Sequence, residues 1–281
     1  MMTMHHVAVR DTRLAVHTAG SGIPLLLLHA FPLDHSMWER QGELADQLRL
    51  IVPDQRGFGG STGSVPESIE QLADDAVALL EALHVTGPAV VCGVSMGGYV
   101  AQHVALRHPG RVAALVLVDT KLEADSAEAI AGRQELAAKV GLLGQSILAD
   151  AMIPRLLAAS AEARELPGRA DVEATLRRAI MAQPVATIQA ALAALGRRPD
   201  MTEAMREARP PALLVVGAED AITPPACLEA AEEIIPRAKL LEVPLAGHLV
   251  PLERPEIFNP AVLEFLRELP AARLAAAATG S

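Results

Sequence analysis

The sequence predicts an α/β fold built on a mostly parallel sheet, and three observations carry that expectation. Nearly continuous apolar runs recur at intervals long enough to hold a helix. Amphipathic stretches with helical spacing lie between them. A long middle region then loses the strand pattern altogether and reads as a helical insertion.

The elements follow in chain order. Val7 and Val9 before "RDTR", with Leu14 and Val16 after it, alternate as the two arms of a hairpin. The runs "IPLLLLHA", "LRLIVPD", "PAVVCGV" and "RVAALVLVD" are apolar almost throughout. Strands covered on both faces look like this, and such strands belong to parallel sheets. In "SIEQLADDAVALLEALHV", Leu72, Ala76, Leu79, Leu80 and Leu83 recur on one helical face. From about Lys121 to Asp200 the chain is rich in Ala, Leu, Glu and Arg, and prolines at 154, 167, 184 and 199 are expected to break it into several helices. The β, α rhythm resumes with "PALLVVGAED", "AKLLEVPLAGH" and a closing helix in "PEIFNPAVLEFLREL". The expected organisation is a core of residues 1–120 and 201–270, an insertion of residues 121–200, and a frayed tail of small residues at 271–281.

Composition narrows the function. A chain of 281 residues that is 51% hydrophobic and 21% charged suits one large domain with a sizeable core. A formal net charge of -10 without a basic stripe argues against nucleic acid and anionic membrane as partners. Six aromatic residues leave little surface for stacking bases or sugars. Cys92 and Cys227 cannot form a disulfide framework, and no apolar leader or span is visible, so the expected compartment is the cytoplasm. The histidines lack metal-ligand spacing, no G-x-G-x-x-G or P-loop pattern follows a strand, and neither a metal nor an organic cofactor is expected.

The informative stretch is "PAVVCGVSMGGYVAQHVALRHP". A strand ending at Val94 and a helix opening at Met96 leave Ser95 in a turn too sharp for relaxed backbone. Gly93 and Gly97 flank it because a Cβ two residues away would collide. The hydroxyl is then thrust out at the carboxyl edge of the sheet, where ligands bind in open α/β sheets, with a helix N-terminus behind it. G-x-S-x-G alone arises by chance in roughly one chain in ten of this length. Its place between strand and helix makes it a nucleophile elbow.

A serine needs a base to take its proton and a carboxylate to orient that base. His248, just past the last predicted strand, is the candidate base. His84, His103 and His108 fall on helices or their ends, and His29 reads as loop scaffolding. Asp220, held by a Pro-stiffened turn, is preferred as the acid over Asp119, whose other role would be to tie down the start of the insertion. Glu219 is expected to point to solvent. The oxyanion donors would be the backbone N–H groups of Met96 and Phe31.

The segments "HAFPLDHSMW", "PDQRGFGGS", "GVSMGGYVA", "RVAALVLVDT", "VVGAEDAITPP" and "AGHLVPLERPEIFN" stand in the order found in the α/β-hydrolase fold family, which the chain resembles over almost its whole length. The resemblance is closest to the serine esterase, enol-lactonase and cofactor-free haloperoxidase branch. It implies an eight-stranded, mostly parallel sheet flanked by helices, with the insertion as a cap, and a bracing role for Asp54 and Arg56 beside the site. One departure is His29-Ala30, where relatives usually have His-Gly. A serine at the elbow, rather than the aspartate of haloalkane dehalogenases and epoxide hydrolases, favours acyl transfer over attack at saturated carbon.

The expectation is therefore a serine hydrolase of a small, largely apolar carboxylic ester or lactone. Two alternatives stand beside it: perhydrolysis, carbon-carbon or thioester cleavage on the same triad, and a silent ligand-binding protein of the same fold. Met152, Leu156, Leu157 and Ile180 are candidate pocket residues, the other reading being internal packing of the cap. Trp38 either lines the pocket or anchors the first helix. Oligomeric state is not readable from the sequence; a homodimer is offered only by analogy with the fold class, whose members often dimerise.

Overall fold

The computed structural model of the protein describes residues 2–270. The tail expected to fray, residues 271–281, lies outside them. Strands β1 (Thr3–Val9) and β2 (Thr12–Ala19) form the predicted hairpin, with Val7 opposite Leu14 and Val9 opposite Thr12. Then come β3 (Ile23–Leu28), a 3-10 helix (His35–Asp46), β4 (Leu48–Pro53), α1 (Ile69–Ala82), β5 (Ala89–Val94), α2 (Met96–Arg107) and β6 (Val112–Val118). Between β6 and β7 run six helices: α3 (Ala127–Leu143), α4 (Ser146–Leu156), α5 (Ala161–Arg164), α6 (Arg169–Ala182), α7 (Val185–Arg197) and α8 (Thr202–Met205). The chain returns to the sheet in β7 (Ala212–Gly217), α9 (Pro225–Ile234) and β8 (Ala238–Val243), and ends in α10 (Val250–Glu253) and α11 (Pro255–Glu268).

The eight strands form one sheet in the order β1-β2-β4-β3-β5-β6-β7-β8. The β1-β2 and β2-β4 pairs are antiparallel, and every pair from β4 through β3 to β8 is parallel. Every residue of β5, β6 and β7 is buried, because helices cover both faces there. At the edge, β8 exposes Lys239 and Glu242 while Ala238, Leu240 and Leu241 are partly buried. Charge on an edge strand discourages pairing with another chain.

The helices obey the local signals. Ser68 caps α1 by accepting from the N–H of Gln71 at 3.1 Å, and Leu72, Ala76, Leu79 and Leu80 are buried as the spacing predicts. Pro184 precedes α7 and Pro167 separates α5 from α6, as expected. Pro154 does not break the chain: it lies inside α4. The carbonyl its missing N–H leaves free belongs to Asp150, an exposed residue to which water has access, and the helix ends two residues later.

Candidate active site

Ser95 sits between β5 and α2 at φ 51° and ψ -111°, a backbone conformation that a residue with a Cβ rarely adopts. The surroundings hold it there. Its N–H donates to Val118 O at 2.9 Å, and its carbonyl accepts from the Tyr99 N–H at 3.1 Å and the Thr120 hydroxyl at 3.0 Å. The glycines are required by contact. A Cβ on Gly93 would lie 2.0 Å from Gly97 O, and one on Gly97 would lie 2.1 Å from Leu28 O. The first turn of α2 therefore packs directly on the end of β3, beside the loop that carries Phe31. Met96 opens α2, so its N–H has no acceptor within the helix.

Because β5, β6, β7 and β8 are parallel neighbours, the residues after them share one edge of the sheet. These are Ser95, Asp119, Asp220 and His248 in that order. His248 Nδ1 lies 2.7 Å from Asp220 Oδ2, and both side chains are buried. An ionised carboxylate only accepts, so Nδ1 carries a proton and donates a hydrogen bond to Asp220. Oδ1 of Asp220 accepts from Ile222 N at 2.7 Å and Thr223 N at 3.0 Å. The Thr223 hydroxyl donates to Oδ2 at 2.8 Å and stands 3.3 Å from His248 Nδ1. Burial works against the Asp220 charge, but His248 and these N–H donors outweigh it and hold the carboxyl below its ordinary range.

Asp119 has a different task from either one expected of it. Its oxygens accept from Gly217 N at 2.9 Å and Val250 N at 3.0 Å, pinning the end of β7 and the start of α10. Burial, then the charge of Asp220, raise its pKa well above the ordinary value. Glu219 does not point to solvent. It accepts from Ala159 N at 2.9 Å, Ser160 N at 2.8 Å and Ser160 Oγ at 2.7 Å, joining the loop of Asp220 to the insertion.

His29 is scaffolding. Its Nε2 accepts from Gln55 N at 2.9 Å while Nδ1 donates to Ala30 O at 3.0 Å, which ties the Phe31 loop to the loop after β4. Burial lowers its pKa. Asp54 accepts from His35 N and Gly60 N, both at 2.7 Å, and Arg56 grips Asp75 at 2.6 and 2.9 Å, so both brace loops. Trp38 is fully buried, its ring centroid 6.4 Å from that of Phe258 in α11, where it anchors the 3-10 helix. Leu156, Leu157 and Ile180 are buried in the hydrophobic core, and Met152 is partly buried against it. The Leu156 carbonyl accepts the His248 N–H at 2.8 Å, so the insertion touches the loop of the candidate base directly.

One group missed by spacing could be considered for a metal: His17, His35 and Asp54 offer ligand atoms within 4.8 Å of one another. They come from three elements, so no local motif announces them. The two rings stack face to face, 3.6 Å apart and 13° from parallel, so their lone pairs run side by side instead of converging. Both Asp54 oxygens already accept hydrogen bonds. This is the geometry of a braced loop, with His35 raised in pKa by Asp54 against the opposing effect of burial. Among the described residues no single helix is long and apolar enough to cross a membrane.

Comparison with known proteins gives a consistent result. Residues 23–255 match the family model described as alpha/beta hydrolase fold. A pimeloyl-[acyl-carrier protein] methyl ester esterase of Nitrosomonas europaea is 31% identical, over 86% of this chain and 95% of its own. A 3-oxoadipate enol-lactonase of Acinetobacter baylyi is 30% identical, over 85% of this chain and 86% of its own. Among solved structures, a thermophilic esterase from Thermogutta terrifontis superposes with a TM-score of 0.88 at 38% identity, covering 95% of this chain and 98% of that one.

Proposed function

The chain belongs to the α/β-hydrolase fold family, and from that premise we propose that it cleaves a small, largely apolar carboxylic ester or lactone through an acyl-serine intermediate. Hydrolysis of ester bonds is the activity its esterase and enol-lactonase relatives share. The observation that carries the serine mechanism is the buried 2.7 Å His248–Asp220 hydrogen bond, formed on the same sheet edge as a serine held at φ 51°.

In this reading Nε2 of His248 takes the Ser95 proton as Oγ attacks the substrate carbonyl. The N–H groups of Phe31 and Met96 stabilise the oxyanion. The imidazolium returns its proton to the leaving alkoxide. His248 then draws a proton from water as its oxygen adds to the acyl carbonyl, and the imidazolium returns that proton to the departing Ser95 Oγ as the acid is released. Asp220 keeps the imidazole in the required tautomer throughout. The helices between β6 and β7 act as a cap, with Met152, Leu156 and Leu157 contributing to its apolar underside. The reaction needs no metal or organic cofactor.

The test is turnover of short- and medium-chain p-nitrophenyl esters and of γ- and enol-lactones, compared between wild type and Ser95→Ala. Loss of turnover in the variant, with fluorophosphonate labelling of wild type at Ser95, supports the acyl-serine mechanism. A wild type that neither turns over nor labels would make the silent binding-protein reading the better one.

A further inference from the structure

Resting on the reading of His248 as the base, we propose that Glu253 is a positioning residue through which docking of the insertion places that base. The last residue of α4 and the chain that joins it to α5, residues 156–160, lie as a strap across the loops of Asp220 and His248. One oxygen of Glu253 accepts from the strap, at Ala158 N, and the other accepts from the histidine loop, at Gly247 N, each at 2.8 Å. The next N–H along that loop, of His248 itself, donates to Leu156 O of the strap at 2.8 Å. Both peptide groups adjoining Gly247 and His248 on their N-terminal sides are thus held either by the strap or by the carboxylate that also holds the strap.

The fit leaves no slack. A Cβ on Gly247 would lie 2.6 Å from Ala158 N, 2.7 Å from Leu157 C and 2.9 Å from Leu156 O. A Cβ on Gly217 would lie 2.0 Å from Gly247 O, so the loop is wedged between the end of β7 and the strap. Arg169 of α6 closes the arrangement, donating to Ala158 O at 2.9 Å with the same nitrogen 3.7 Å from Glu253. Glu219 ties the far end of the strap, at Ala159 and Ser160, to the residue beside Asp220. Acid and base are therefore each within one residue of a carboxylate or backbone link to a single five-residue segment, and displacement of the strap moves the imidazole.

Glu253→Gln is the informative substitution because it keeps volume and one carbonyl oxygen. Whichever way the amide turns, its NH₂ faces a backbone N–H, and the bridge between strap and loop is broken on one side. The experiment measures kcat and KM on the best ester, the rate of fluorophosphonate labelling of Ser95, and the downfield proton resonance of His248 Nδ1–H. We expect kcat and the labelling rate to fall together by about ten- to a hundredfold, the scale of a displaced catalytic group. KM should stay within about twofold, and the resonance should shift or broaden while circular dichroism remains that of wild type.

A labelling rate and a resonance equal to wild type would overturn the proposal, even with a lowered Tm, because a purely structural role moves only stability. If Glu253→Gln does not fold, Glu219→Gln loosens the strap from its other end and decides the matter by the same readouts: a slower labelling rate supports the proposal and an unchanged one overturns it. A wild type that neither labels nor turns over would instead bring down the underlying reading, and is recognised before any variant is made.

Discussion

At the residue scale, the chemistry depends on side chains whose protonation is set by burial and by fixed partners. Asp220 can stay ionised in the interior because His248, the Thr223 hydroxyl and two N–H groups compensate its lost hydration. Asp220→Asn keeps the shape but removes the acceptor that fixes the histidine tautomer, and kcat should drop by about 10⁴-fold with KM little changed. His29 makes a prediction of opposite chemical sense. Its pKa is depressed by burial, so below the ordinary histidine range the unfolded chain takes a proton that the folded chain refuses. The contribution of His29 is full above pH about 6.5 and is lost progressively as pH falls from there toward its lowered folded value. Thermal unfolding followed from pH 8 to pH 5 should show Tm declining, and His29→Gln should flatten the decline. A slope unchanged in the variant would assign the effect to other groups.

At the scale of elements, the elbow is a junction of three pieces of backbone. Gly97 belongs to α2, yet what excludes a side chain there is the carbonyl of Leu28 at the end of β3. Gly97→Ala must therefore separate α2 from the loop of Phe31. The expected loss in kcat is about a hundred- to a thousandfold, as for removal of one oxyanion donor, measured beside a Tm to separate misplacement from unfolding. A second junction closes the base of the insertion. Arg198, after α7, pairs with Asp125 at 2.8 Å, with both side chains almost fully buried, and lies 4.1 Å over the Tyr99 ring of α2. Arg198→Met removes one partner of a buried carboxylate that keeps Arg133 and Lys121, so its cost in urea unfolding should be about 1–3 kcal/mol, short of that of a charge left alone. A cost below 1 kcal/mol would mean that Asp125 finds full compensation in Arg133, 2.5 Å away.

At the scale of the whole molecule, the order of strands decides what meets. Ser95, Asp220 and His248 are up to 153 residues apart in sequence (248 − 95), yet β5 to β8 are adjacent and parallel, so their ends form one row. The insertion leaves the sheet at the end of β6, which lies in that row between the ends of β5 and β7 that precede Ser95 and Asp220. A chain that works through these residues alone should keep full turnover after exhaustive dialysis against a chelator. Activity lost on chelation and restored by added metal would reopen the His17, His35 and Asp54 group.

The elements and the candidate site were legible to different depths. Apolar runs, helical spacing and capping serine encode the strands and helices locally, because burial on two faces or on one face requires those periods. Gly-x-Ser-x-Gly encodes the elbow for the same reason: the sharp turn excludes side chains from its own neighbours. Asp220 and His248 could be nominated from their places after strands, and the choice over Asp119 rested on the Pro-stiffened turn that follows Asp220, since both acids lie between Ser95 and His248 in the chain. Other roles could not be read at all. That Asp119 pins β7 to α10, that Glu219 clasps Ser160, and that Glu253 joins the strap to the histidine loop depend on which backbone N–H groups fold to within 3 Å of a carboxylate. The sequence by itself determined the α/β architecture and the chemical types gathered at one sheet edge. Only the tertiary structure decided how those groups are held, because a carboxylate's partner is selected by three-dimensional proximity and the loss of competing water, and neither leaves a period in the chain.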